Sequence, residues 1–175
     1  PNVADLVSGK AQVDDLQPVG VEDLLGREAV PPNEALLAGS INGKSVMITG
    51  AGGSIGSELS RQALLQNPSK LVLFERSEAA LYEIEQELSI LRAEKGIGCP
   101  VVALIGDVAD RVRVLEVMQT FAVDTVYHAA AYKHVPLVEH NPAEGVRNNV
   151  WGTKVCAEAA VRNGVQNFVL ISTDK

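Results

Sequence analysis

Residues 44–59, "KSVMITGAGGSIGSEL", decide the fold. The apolar run Val46–Ile48 ends at Thr49, and Gly50, Gly53 and Gly56 follow at intervals of three. Apolar positions then recur at helical spacing through "SIGSELSRQALLQN" (54–67) and stop before Pro68. This reads as strand, glycine turn, helix. Such a turn lets the backbone bend tightly and approach a pyrophosphate, while the helix start offers free N–H groups and a positive dipole end. Gly50, Gly53, Ser54, Ile55 and Gly56 are therefore the expected anion-binding residues.

The pattern repeats outward from that stretch. "KLVLFE" (70–75), "PVVALIGD" (100–107), "VDTVYHAAA" (123–131) and "NFVLIST" (167–173) read as further strands. Helical segments separate them: "SEAALYEIEQELSILRAEKG" (77–96), "DRVRVLEVMQTF" (110–121) and "NPAEGVRNNVWGTKVCAEAAVRNG" (141–164). The last is one long helix or two broken near Gly145 to Gly152. Asn141 is its expected N-cap, Pro142 its N1 and Glu144 its N3, with Gly164 at its end. The strands are continuous apolar runs, which predicts cover on both faces. The expected fold is α/β: a Rossmann-like, doubly wound parallel sheet of five strands, spanning 44–175. Residues 1–43 carry Pro and Gly between short apolar pieces, with no sustained period. They are expected to be a linker or strap, with "VEDLL" (21–25) as a short helical turn.

In such sheets ligands bind outside the carboxyl ends of the strands. Glu75 ends the second strand, 19 residues after Gly56. A carboxylate there accepts from ribose hydroxyls and repels a 2′-phosphate, so NAD is expected over NADP. Arg76, next in line, could instead hold a phosphate. Ala129, Ala130 and Ala131 are small enough either to let a dinucleotide lie across the strand ends or simply to pack closely.

Charge and composition narrow the class. The 175 residues carry a net charge of −7, which argues against a partner bound through nucleic-acid phosphates. Hydrophobic residues make up 46% and charged residues 21%, as in a soluble globular chain. No apolar run approaches membrane-span length, and the start "PNVADLVSGK" lacks a signal-peptide layout, so the chain is cytosolic in character. Cys99 and Cys156 have no Cys or His at metal-ligand spacing, and His128, His134 and His140 do not share a helical face, so no metal is expected.

The spacing T-G-x-x-G-x-x-G resembles that of the short-chain dehydrogenase/reductase superfamily. With "DLLGRE", "SEAALYEIEQEL", "HAAAYKHVPLVE", "NNVWGT" and "LISTDK", the chain resembles the CapD-like, membrane-anchored nucleotide-sugar 4,6-dehydratases of polysaccharide biosynthesis, from about residue 20 onward. The resemblance implies an Asp at position 107 that reaches the adenine amino group, helped by the backbone of Val108; the plainer reading of Asp107 is a loop or helix-capping aspartate. The resemblance also implies that Asn149 shapes the active site, unless it caps a helix break. Lys133, at the end of the fourth strand beside the same crevice, is expected either to contact substrate or a cofactor phosphate or to be a solvated loop lysine. The resemblance implies UDP-N-acetylglucosamine as substrate, with Lys175 as base at carbon 5, Asp174 as acid on the carbon 6 hydroxyl, and Thr173 hydrogen-bonding the carbon 4 oxygen. A protein of this kind sits on the cytoplasmic face of the bacterial inner membrane and forms a homo-oligomer. The family's catalytic domain runs on past "STDK", so this chain is expected to be an amino-terminal part of one, inactive alone and with an open edge at its fifth strand. A nucleotide-sugar 4-epimerase and a non-catalytic NAD-binding module are the alternatives; the "DK" after Thr173 argues against the epimerase.

Overall fold

The structure is a computed structural model and describes residues 34–172. The expected turns in 21–25 lie outside the described residues. Helix α1 (Glu34–Ile41) opens the described chain, within the stretch read as an arm. Strand β1 (Ser45–Thr49) follows, then α2 (Ser54–Leu65), β2 (Lys70–Glu75), α3 (Glu78–Lys95), β3 (Val101–Ile105), α4 (Arg111–Thr120) and β4 (Thr125–His128). The last strand is β5 (Asn167–Leu170). All neighbouring strands pair in parallel, in the order β3-β2-β1-β4-β5. The sheet is the expected Rossmann-like one. Its order reverses between β1 and β4, and that reversal opens a crevice at the strand ends.

Alternation along each strand builds two cores. Val46 and Ile48 of β1 join Leu71, Leu73 and Tyr127 on one face, under Ile41, Leu64, Leu81, Ile84 and Leu88 of α1, α2 and α3. Met47, Val72, Phe74 and Val126 face the other way, under Val114, Val117 and Met118 of α4. Val155, Cys156, Ala159 and Ala160 cover the same face from a later helix, α7 (Thr153–Arg162). β1 and β4 are buried at every residue, as the apolar runs predict. Cover thins outward: β3 is half-buried, and Val169 and Leu170 of β5 are exposed.

Local signals explain most boundaries. Ser77 caps α3 by accepting from Ala80 N, and Gly96 closes it in the left-handed region at φ 65°. Asp110 caps α4 through Val112 N and Arg113 N. The segment 141–164 follows the broken alternative, with the break between Gly145 and Gly152 taking a π-helical form. It forms α6 (Pro142–Gly145), a seven-residue π-helical stretch (Val146–Gly152) and then α7. A short helix, α5 (Val135–His140), precedes it and has no counterpart among the expected elements. Asn141 stands before Pro142, yet its side chain makes no cap bond. Its Nδ2 donates instead to Leu137 O at 2.9 Å, because the end of α5 offers carbonyls without helical partners. Glu144 faces Arg147 at 3.7 Å rather than closing a capping box.

Candidate functional site

The glycine turn sits at the reversal of strand order. Gly50 adopts φ +66°, and a Cβ there would press on the backbone of Ala129 and Ala130, 2.8 Å away. A side chain on Gly56 would fall onto Gly50 O, so the helix start can approach the turn only as glycine. Gly53 N donates to Gly50 O at 3.0 Å, and Ser57 N makes the first helical bond, to Gly53 O. The N–H groups of Ser54, Ile55 and Gly56 therefore precede the helical ladder and stand at the positive end of α2.

A cavity of about 200 Å³ lies beside this turn, lined by Gly50, Gly53, Glu75, Arg76, Asp107 and Ala129 to Ala131, among others. Val108 and Asn148 also line it. The volume is below the roughly 300–1,000 Å³ of a whole small-molecule site and suits one end of a dinucleotide. Glu75 is held rigidly. Its Oε1 accepts from Arg76 N (2.8 Å) and Ser77 N (2.9 Å), and its Oε2 from Gly52 N (3.2 Å). A carboxylate has about four acceptor positions, so one remains on Oε2 for a hydroxyl. Asp107 Oδ1 accepts from Ala109 N at 2.8 Å, and its Oδ2 meets Arg147 Nη2 at 3.1 Å. Lys133 Nζ donates to Ser54 Oγ at 3.0 Å, which brings an ammonium to the start of α2.

Asn149 is a clamp. Its Oδ1 accepts from Tyr132 N and its Nδ2 donates to Tyr132 O, both at 2.9 Å. Asn148 Nδ2 donates to the same Oδ1 at 2.9 Å. The loop after β4, which carries the cavity wall and Lys133, is thereby tied to the π-helical stretch.

Behind the loop lies a buried chain that the sequence does not announce. Thr153 Oγ1 donates its only proton to Asn149 O at 2.7 Å. Toward His128 Nε2, 3.0 Å away, that hydroxyl must accept, so Nε2 carries the hydrogen. Nδ1 is then bare and accepts from Thr49 Oγ1 at 2.7 Å. Burial pushes the His128 pKa down to about 4, which keeps the ring neutral. β1, β4 and the segment 146–153 are pinned together at the crevice by this chain.

Of the expected site residues, Gly50, Gly53, Glu75, Arg76, Asp107, Val108 and Ala129 to Ala131 come together around one cavity. Ser54, Ile55 and Gly56 form the first turn of α2, and Lys133 reaches it through Ser54. Asn149 reaches the loop. Arg147, Asn148, Tyr132, His128 and Thr153 are additions from the structure; only their places in space single them out. Thr173, Asp174 and Lys175 lie outside the described residues. Ile171 N, one residue past β5, donates to His128 O at 3.0 Å. Among the described residues no group of three or more His, Cys, Asp or Glu could hold a metal ion, and no helix is long and apolar enough to cross a membrane.

Comparison with known proteins fits this site. A family model described as polysaccharide biosynthesis protein matches residues 46–175. The chain belongs to that family. Within it, the chain is 48% identical over all 175 residues to the capsular polysaccharide biosynthesis protein CapD of Staphylococcus aureus, and spans 29% of that protein's length. It is 38% identical over 136 residues to a UDP-N-acetylglucosamine 4,6-dehydratase (inverting) of Campylobacter jejuni, covering 77% of this chain and 37% of that one. Among solved structures, a UDP-glucose-4-epimerase from Stenotrophomonas maltophila with bound NAD superposes with a TM-score of 0.63 at 26% identity. That likeness covers 75% of this chain and 37% of the epimerase.

Proposed function

We propose that this chain is the cofactor-binding part of a nucleotide-sugar 4,6-dehydratase that uses NAD and acts on UDP-N-acetylglucosamine. The observation that carries the reading is the convergence of the glycine turn, Glu75 and Asp107 on one cavity at the reversal of strand order. The residues fit the cofactor: the free N–H groups of 54–56 suit a pyrophosphate, and the remaining acceptor position on Glu75 suits a ribose hydroxyl. When bound, NAD would supply hydride acceptance from sugar carbon 4 and, after water has left, hydride return to carbon 6, which restores the oxidised cofactor. Lys133, beside Ser54, adds a positive charge for a phosphate. Thr173 hydrogen-bonds the carbon 4 oxygen. The carbon 4 ketone acidifies the carbon 5 proton, which Lys175 removes, and Asp174 protonates the departing carbon 6 hydroxyl. Lys175 must be neutral to do this, so the reading requires surroundings that lower its pKa.

The test is to incubate the full-length protein with NAD and UDP-N-acetylglucosamine in heavy water and weigh the sugar nucleotide. Loss of one water with deuterium uptake at carbon 5 is expected. An unchanged mass with a 4-epimer formed would establish the second reading, a 4-epimerase, which the likeness to the NAD-bound epimerase favours. No reaction at all would leave the cofactor-binding module.

A further inference from the structure

We propose that Asp107 and Arg147 form a latch that turns the adenosine end of the site against a 2′-phosphate. The inference rests on the reading of the cavity as a dinucleotide site. Two guanidinium groups stand at this corner. Arg147 Nη2 is 3.1 Å from Asp107 Oδ2, and Arg76 Nη1 is 4.0 Å from the same oxygen. Arg76 also lies over the Tyr132 ring, 5.4 Å from its centroid, and Arg147 Nη1 is 3.7 Å from Glu144 Oε2. Left to themselves, two arginines at the end of β2 would invite a phosphate with planar, paired hydrogen bonds.

The carboxylates prevent that in two ways of the same sign. Asp107 holds both guanidinium groups, and Glu144 holds the outer one. Glu75 adds a third negative charge, fixed in place by three backbone N–H groups. A 2′-hydroxyl brings no charge into this corner. A phosphate brings about −1.5 to −2, and it must both displace the carboxylates from the arginines and sit among them. Glu75 carries the discrimination that its position at a strand end suggests. Asp107 and Arg147 are the further determinants, and the arginine arrives from a π-helical stretch more than seventy residues beyond Glu75 in sequence.

The probes are ADP and adenosine 2′,5′-bisphosphate, titrated calorimetrically into the full-length protein. Asp107→Asn keeps the Oδ1 acceptor for Ala109 N, and the pairs it breaks are half-exposed, so the fold is retained. In that variant the affinity ratio is expected to move toward the bisphosphate by about tenfold, equivalent to roughly 1.4 kcal/mol. Adding Arg147→Ala should return most of that gain. A ratio unmoved by Asp107→Asn, or a gain that survives the loss of Arg147, overturns the latch while leaving the dinucleotide site standing. Failure of the wild-type protein to bind ADP at all would remove the dinucleotide reading, and the latch with it. A fall in thermal midpoint with both ligands weakened equally would make Asp107 structural and also overturn the proposal.

Discussion

The centre of the sheet and its rim obey different rules. β1 and β4 are buried at every residue, and Leu71 to Phe74 of β2 are fully enclosed. β3 is only half-buried, and β5 leaves Val169 37% and Leu170 50% exposed. Polar groups follow the same division. At the centre they are paired within the protein: Thr49 with His128, His128 with Thr153. Ion pairs lie on the outside, as between Arg61 and Glu87 or Arg111 and Glu158. The candidate site is built on the buried centre, where few alternative arrangements are open to the backbone. A site that must hold a flat, extended ligand in one register gains from that rigidity.

The largest effect is expected where the centre is tightest. Gly56→Ala puts a methyl group onto Gly50 O, and both partners are backbone, so the glycine turn must open. A loss of about 3 kcal/mol, together with loss of ADP binding, is expected in urea unfolding and calorimetry. A variant that keeps wild-type stability and affinity would show that the turn is not packed as described, and the contrast with the rim would collapse.

The next effect is a pH dependence. The His128 pKa falls from 6.5 to about 4 in the folded chain, through burial. The unfolded chain therefore binds the proton first as pH drops, so stability present above pH 6.5 is lost progressively down to pH 4. The loss amounts to roughly 3 kcal/mol, read from the size of the shift. Nδ1 has to become a donor on protonation, against a Thr49 hydroxyl that now donates to it. Carboxylates titrate over part of the same range, so the comparison is with His128→Gln. The difference in urea midpoint between the two proteins should shrink as pH falls from 6.5 to 4. Parallel curves would mean that the ring is solvated and that the centre is less closed than its burial indicates.

The same division governed what could be read from the sequence. Strands of the centre are unbroken apolar runs, so β1, β2 and β4 were legible, and the three-residue glycine spacing placed the site at the end of β1. Glu75 followed because it ends its strand, where the last residue has little choice of direction, whereas Asp107 was singled out through the family resemblance. Residues brought in from afar were not legible. Thr153 meets His128 from 25 positions away and Arg147 meets Asp107 from 40, and neither distance follows a period. The π-helical stretch hid them, since a sequence read at helical spacing assigns Val146–Gly152 the wrong turn. Asn141 shows the same weakness at short range: its capping position was legible, but α5 before it supplied a competing carbonyl.

The smallest effect belongs to the rim, and it tests the comparison from the other side. Leu170→Thr on β5 exchanges an already half-exposed side chain for a β-branched polar one that suits a strand. In this 175-residue chain the change should stay within about 0.5 kcal/mol, as for surface positions generally. The urea midpoint is the measurement. If the cost reaches about 2 kcal/mol, that is the size expected for a buried leucine, and something packs on β5 in solution. Repeating the substitution in the full-length protein then separates the two cases. A small cost in the short chain with a large one in the long chain would make the rim a docking edge for the rest of the protein. A large cost in both would mean that copies of the short chain cover β5 for one another. Sedimentation at two concentrations distinguishes that outcome, because the midpoint would rise with concentration only if the cover is a second molecule.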